Sequence, residues 1–400
     1  MRRHPILLQL PTEIALTQKA RLMINTFRDM NVSLKILKTL LVLLLISSPL
    51  ASYSNVTLTD AESGQPLAKA SIFDKNGVFI AISEEDGQIP INIPSSSYPL
   101  NVRYIGYEPV TVSNHDMGTI TMVESTYSLP EVVVDIASRN ILYLQVYVRE
   151  YTTLENAKDT LAIFKEQIVD YAIPVGKAKF KGWKKPRVLA QKEYEYVKID
   201  KKKNSIDTLL YSDGGKFRAT NFNIAQNFKM PQNIISGEST EHIKQGKYYP
   251  EERWTVIKDG YIYETDGLAN SKDHYFQPGF LKLFGMTVAQ TLDENKYKFE
   301  KGSKPGANVE NLIEASQNFD MIIKGKLFKK ATEQNEDTKM AFFSEMFVID
   351  RAYLTAEEAK ELKKDAPVVD LAHFKIPDGI PAPPEEVAKL KATVLESAGR

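Results

Sequence analysis

Two carboxylates within reach of one bond can cleave a glycoside, one as acid and the other as base or nucleophile. The sequence offers two such pairs, Glu251-Glu252 and Glu193 with Glu195. Glu193 and Glu195 alternate with Tyr194 and Tyr196, which places both acids on one strand face and reads more plainly as a row of solvent-facing residues. Glu84-Glu85-Asp86 could present oxygens to a calcium ion. It lacks the alternating ligand spacing of a calcium loop and reads as a solvated hairpin turn. Lys201-Lys202-Lys203 could grip phosphate, or could be a charged loop tip that keeps a sheet edge soluble. The five histidines are His4, His115, His242, His274 and His373; none begins His-x-x-Glu or His-Glu-x-x-His, so the zinc-peptidase ligand patterns are missing. There is no Gly-x-Ser-x-Gly, no phosphate-cradling Gly-x-x-x-x-Gly-Lys-Ser/Thr and no Gly-x-Gly-x-x-Gly. No catalytic residue, metal ligand or cofactor is assigned. What remains is a crowd of aromatics: Tyr248, Tyr249, Trp254, Tyr261 and Tyr263, with Tyr275 and Phe276 after them. Flat rings stack on sugars and anchor protein interfaces, and they also fill half-buried sheets. The first five are the candidate binding residues.

Composition narrows the classes. The 400-residue chain has 51 basic and 51 acidic residues, so no field of one sign draws it to nucleic acid. With 43% hydrophobic residues it should fold, and its length allows two or three domains. The absence of cysteine removes disulfides, thiolate metal sites and cysteine nucleophiles together.

Lys35 and Lys38, the apolar run Leu40–Ile46 and the small-residue stretch SSPLASYS follow the layout of a secretory signal peptide over residues 30–54. Ser52 and Ser54 suit a cut ahead of Asn55. Residues 1–29 read as an over-long gene start. The apolar run is short for a spanning helix, and no transmembrane span is expected after the signal is removed.

From Val56 to Val123, short strands alternate with turn signals at Glu62-Ser63-Gly64, Lys75-Asn76-Gly77, Asp86-Gly87 and Asn114-His115-Asp116. Seven strands are expected: 56–59, 70–73, 79–82, 89–93, 100–104, 109–112 and 119–122. They should close as an antiparallel β-sandwich able to fold alone. Residues 124–140 form a linker. Residues 141–366 read as a larger β-rich α+β domain. A strand is expected over 142–149, an amphipathic helix over 161–171, and hairpins around Lys201–Lys203 and Lys258-Asp259-Gly260. Further strands are expected at 296–300, 319–324 and 340–350, and a helix capped by Thr355 and Glu358. Residues 367–400 are a proline-rich linker and a terminal helix marked by Val387, Leu390 and Val394.

Within the sandwich, Asp60…Gly64-Gln65-Pro66-Leu67…Ala70-Ser71-Ile72, then Ser83–Ile89, then Val102-Arg103-Tyr104-Ile105-Gly106-Tyr107-Glu108 resembles the carboxypeptidase-regulatory-like domain. The resemblance extends over residues 55–134 and implies a transthyretin-like sandwich, common in secreted proteins and transporters of the gram-negative envelope. In the carboxypeptidases this domain is an appendage and the peptidase is separate, so the name implies no peptidase here. No family is recognised for residues 140–400. The resulting expectation is a mainly β, exported, non-enzymatic protein of the periplasm or outer membrane that binds an envelope protein or glycan. The alternative is a hydrolase of unfamiliar class, glycan- or peptide-directed, with its site in residues 141–366.

Overall fold

The structure, a computed structural model, describes residues 56–126, 139–175, 186–203, 205–210, 241–246, 249–269, 285–301, 309–325, 337–363, 369–370 and 378–398, with single positions 180, 183, 271, 279, 283 and 376. The signal-like segment, Tyr248, Tyr275 and Phe276, and His4, His274 and His373 lie outside the described residues.

The chain is mainly β. Six of the seven expected sandwich strands form: β1 (Thr57–Asp60), β2 (Ser71–Phe73), β3 (Phe79–Ile82), β4 (Leu100–Arg103), β5 (Val110–Val112) and β6 (Thr119–Met122). Residues 89–93 do not. Pro90 and Pro94 remove backbone donors there, and only Gln88 just before them bridges to β1. The strands make a four-stranded sheet, β3-β2-β4-β5, facing a parallel pair, β1-β6.

Ten longer strands form the second body: β7 (Ile141–Glu155), β8 (Asp159–Pro174), β9 (Arg187–Asp200), β10 (Ser205–Leu210), β11 (Glu241–Gly246), β12 (Tyr249–Ile257), β13 (Gly260–Asp266), β14 (Met286–Glu300), β15 (Leu312–Gly325) and β16 (Thr338–Leu354). Their order is β10-β9-β8-β7-β16-β15-β14-β13-β12-β11. It is an up-and-down meander that runs outward from β7 to one edge, restarts at the other edge and returns to close β16 onto β7. The expected helix over 161–171 is instead the middle of β8. Leu161 and Tyr171 point to one face, Phe164 and Ile168 to the other, and both faces are covered. A strand buried on both sides loses its period-two signature, and three- and four-residue spacings then arise by coincidence.

Both expected hairpins form, with Asp200 opposite Ser205 and Ile257 opposite Gly260. Thr355 and Glu358 build the capping box of α1 (Ala356–Leu362). The proline-rich segment is not wholly a free linker, since β17 (Val369–Asp370) pairs in parallel with β9. The terminal helix is α2 (Glu385–Ala398).

Candidate functional site

Strand alternation sorts the large sheet into two chemically distinct faces. From β7, residues 142, 144, 146 and 148 share a face with Val169 and Tyr171 of β8, Met346 and Val348 of β16, Leu312 and Ala315 of β15, Tyr297 and Phe299 of β14, Tyr263 of β13 and Trp254 of β12. Burial raises the Tyr171 hydroxyl well above its ordinary pKa, and the nearby Glu150 and Tyr297 add to the rise. Tyr297 is four strands away from Tyr171 in the sheet order. The side chains of this face, from strands as far apart as β8 and β12, are buried in one cluster that contains no residue of either described helix, so the sheet curls and this face is its inside.

The inner face has three zones. The first is the aromatic and aliphatic zone just named. A polar band follows, formed by Glu150, Lys165, Gln167, Ser344, Gln317, Asn295 and Thr265. Beyond it Leu154, Ile163, Phe319, Met321, Ile323, Met340 and Phe342 make a second apolar zone. In the band Glu150 is 3.7 Å from Lys165. Burial pushes its carboxyl up to about 7; Lys165 opposes the rise and Glu193 reinforces it. Gln317 donates to Asn295 Oδ1 at 3.0 Å, and Asn295 donates to Thr265 Oγ1 at 3.3 Å. Glu150 Oε1, Ser344 Oγ, Gln317 Oε1, Glu252 Oε2 and Trp254 Nε1 are buried without a hydrogen-bond partner.

Of the five aromatic candidates, Trp254 and Tyr263 pack with ring centroids 4.4 Å apart and planes tilted by 41°, with Trp254 only 5% exposed. They are core residues of the inner face and not an exposed patch. Tyr261 packs half-buried on the same cluster. Tyr249 starts β12 opposite Gly246. The acid pairs separate differently. Glu251 and Glu252 are adjacent on β12 and so point to opposite faces, which keeps them from acting on one bond. Glu193 and Glu195 do share a face, but it is the half-buried inner face, while Tyr194 and Tyr196 are buried on the outside. Glu85 is paired with Lys69 at 3.3 Å and Arg253 at 3.2 Å, so its carboxylate balances cations. Lys201 is drawn to Glu155 and Lys203 to Asp200. His115 shares a 2.9 Å hydrogen bond with the Tyr98 hydroxyl. Among the described residues no cluster of three or more acids or histidines is placed to hold a metal ion, and no helix is long and apolar enough to cross a membrane.

The outer face carries the sandwich. Phe73 and Phe79 pack on Tyr151 and Phe343, and Ile257 and Ile262 complete the core of the sandwich from the sheet side. Buried charge binds the rest. Arg103 Nε and Arg149 Nη2 flank Glu345 at 2.7 and 2.9 Å, and each guanidinium also donates to a carbonyl of the proline-rich segment, Ala382 and Pro381 respectively. Lys69 sits among Glu294, Asp266 and Glu85; burial works against its charge, but the acids more than offset this and raise its pKa. Lys296 pairs with Glu264 at 2.8 Å, donates to Ala68 O and lies over the Tyr104 ring. Gly106 has φ +78°, and a Cβ there would stand 2.8 Å from Lys298 Cδ. The Val102–Tyr107 landmark is therefore also the docking strip of the sandwich.

Sequence reasoning missed Glu150, Lys165 and Ser344 because a charged residue in an alternating strand looks solvent-facing until the sheet curls over it. No curated protein matches this chain. Residues 57–134 match the family of the CarboxypepD_reg-like domain and no other family is recognised, so the sandwich that rides on the sheet is a carboxypeptidase-regulatory-like domain.

Proposed function

We propose that the protein is an exported, non-enzymatic binding protein of the cell envelope, in which the sandwich braces a curled sheet and the inner face of that sheet meets the ligand. The observation that carries this reading is the set of unpartnered polar atoms on the buried inner face, Trp254 Nε1 in its aromatic zone and Glu150 Oε1, Ser344 Oγ and Gln317 Oε1 in its polar band. Each costs about 1–3 kcal/mol while unmade, a cost removed when a ligand supplies both acceptors and donors. A flat molecule with hydroxyl or amide groups fits that chemistry, and a glycan is such a molecule. Export is supported by Lys35, Lys38, the Leu40–Ile46 run and the small residues before Asn55.

In a Trp183→Phe background the emission of Trp254 alone reports on the inner face. Titration with soluble envelope oligosaccharides should shift it saturably, and no shift with any fraction would reject the inner face as a glycan site. N-terminal sequencing of envelope material should begin near Asn55; a chain retaining Leu40–Ile46 would rule out cleavage there.

One observation favours a hydrolase as a second reading. Glu150, held near neutrality beside Glu193, has the poise of a general acid. Turnover of a glycan or peptide that is lost in a folded Glu150→Gln variant would establish it.

A further inference from the structure

We propose that the cleft between β3 and the outer face of the large sheet holds the aliphatic tail of a single-chain lipid with an uncharged head. The cleft lies on the opposite side of the sheet from the inner face. Its volume is about 480 Å³, within the range that small-molecule sites use. Val78–Ile82 form the roof. The floor is a row of directly paired residues that runs across the strands. Leu292 on β14 lies opposite Asp320 on β15, Asp320 opposite Ala341 on β16, and Ala341 opposite Thr153 on β7. Two residues on from Thr153 and on the same face, Glu155 lies opposite Thr160 on β8, and Thr160 opposite Ile199 on β9. From β14 to β9 the row makes five interstrand steps, roughly 24 Å at about 4.8 Å each. Spread over that length, the volume leaves a mean cross-section of about 20 Å², room for one extended hydrocarbon chain.

The chemistry of the lining agrees with its shape. Every roof residue is apolar, and the two ends of the floor are Ile199 and Leu292, both partly exposed. The four charged residues of the described lining are closed on partners within the protein. Asp320 meets Lys339 at 2.8 Å, and Glu155 is held by Lys201. Asp74 accepts from the backbone N–H groups of Asn76 and Val78 at 2.8 and 2.9 Å, inside its own turn. Charge in the cleft is therefore balanced before any ligand arrives. An ionic group entering it would lose hydration and gain no counter-charge in return. A neutral hydrocarbon chain has no hydration of that kind to lose, and each methylene it removes from water between roof and floor is favourable. Length, narrowness and closed charge together select a neutral aliphatic chain.

The test uses the full chain and N-phenyl-1-naphthylamine, an uncharged fluorophore that brightens on leaving water, displaced by monoacylglycerols kept below their aggregation concentration. Displacement should be saturable and should strengthen about tenfold for each added pair of methylenes. An alkyl sulfate of equal chain length should compete at least about tenfold less well. Leu292→Asp and Ile199→Asp place a charge at opposite ends of the row, and each folded variant should bind the longest monoacylglycerol about tenfold or more weakly. A monoacylglycerol with a diazirine at the end of its tail should label wild-type peptides containing residues 78–82 or 291–292. Absence of saturable displacement, affinity independent of chain length, equal competition by the alkyl sulfate, or wild-type affinity in a folded variant would each overturn the proposal. Photolabelling confined to other peptides would overturn it as well, and this arm decides the location even where neither variant folds.

Discussion

Replacing Glu345 by glutamine removes the single negative charge between two buried guanidiniums. Arg103 and Arg149 are 4% and 1% exposed, and neither can release its charge into water without parting the sandwich from the sheet. Each keeps a carbonyl partner, Ala382 O at 2.6 Å and Pro381 O at 2.7 Å, so the loss is of charge balance and not of every hydrogen bond. Breaking a buried pair by removing one partner costs about 3–5 kcal/mol. Glu314 moderates this. Burial holds its carboxyl up at about 7; the adjacent Glu345 adds to the rise, and Arg103 opposes it. With Glu345 neutralised, Glu314 ionises more readily and returns part of the missing charge. The expected loss is therefore near the lower end, about 3 kcal/mol, read from urea unfolding at neutral pH. The same argument makes a second demand. Arg103→Met, Arg149→Met and Glu345→Leu together remove the desolvation cost along with the attraction, and should lie within about 1 kcal/mol of the wild type or above it. A Glu345→Gln variant within about 1 kcal/mol of wild type, or a triple variant weaker than the single one, would refute the view of this triad as a desolvated charge cluster.

Acidity should stabilise the fold over a defined range. Burial raises Glu150, Glu294 and Glu314 from 4.5 to about 7, so between these values the folded state holds protons that the unfolded state has released. Stability should fall as pH rises from about 5 to 8, and a melting temperature that climbs across that range would contradict the burial of these groups. Gly87→Ala should cost about 2 kcal/mol or more, because φ is +78° and the new Cβ would meet Leu58 O at 2.5 Å. Gly118→Ala, with φ +65° and open space, should cost only about 1 kcal/mol in the same unfolding assay. A fragment of residues 55–126 should aggregate or melt far below the full chain, since Phe73, Phe79 and Arg103 lose their cover. A monomeric fragment with a sharp transition would show that the sandwich core is sufficient without Ile257 and Ile262.

Most of the sandwich was legible because turns announce themselves: Asp86-Gly87 and Lys75-Asn76-Gly77 need positive φ at the glycine, and few residue types supply it. The capping box at Thr355 and the two hairpins were legible for the same local reason. Burial was not. Leu161, Phe164, Ile168 and Tyr171 imitate a helix because β8 is covered by side chains on one side and by the sandwich and α2 on the other. Glu193 looked like a surface acid because curling is a property of ten strands together and leaves no mark on any one of them. Trp254 and Tyr263 drew attention as a cluster, and clustering alone does not tell a core from a contact surface. Arg103 was read as part of a family landmark, while its partner Glu345 lies far along the chain and had no local signature at all.

The pairing of β7 with β16 also bears on how the molecule comes into being. Val146 lies opposite Val348, so the first strand of the meander waits for a neighbour that follows about two hundred positions later. Until that neighbour arrives, β7 and β8 form a hairpin with one long apolar edge unsatisfied, and the ground on which the sandwich rests is only half laid. Vectorial appearance of the chain, whether from a ribosome or through a translocation pore, therefore cannot finish the fold early. A chain built this way stays threadable until nearly its whole length has emerged, and then closes at its centre last, with the open hairpin as the point at which a holdase would have to intervene.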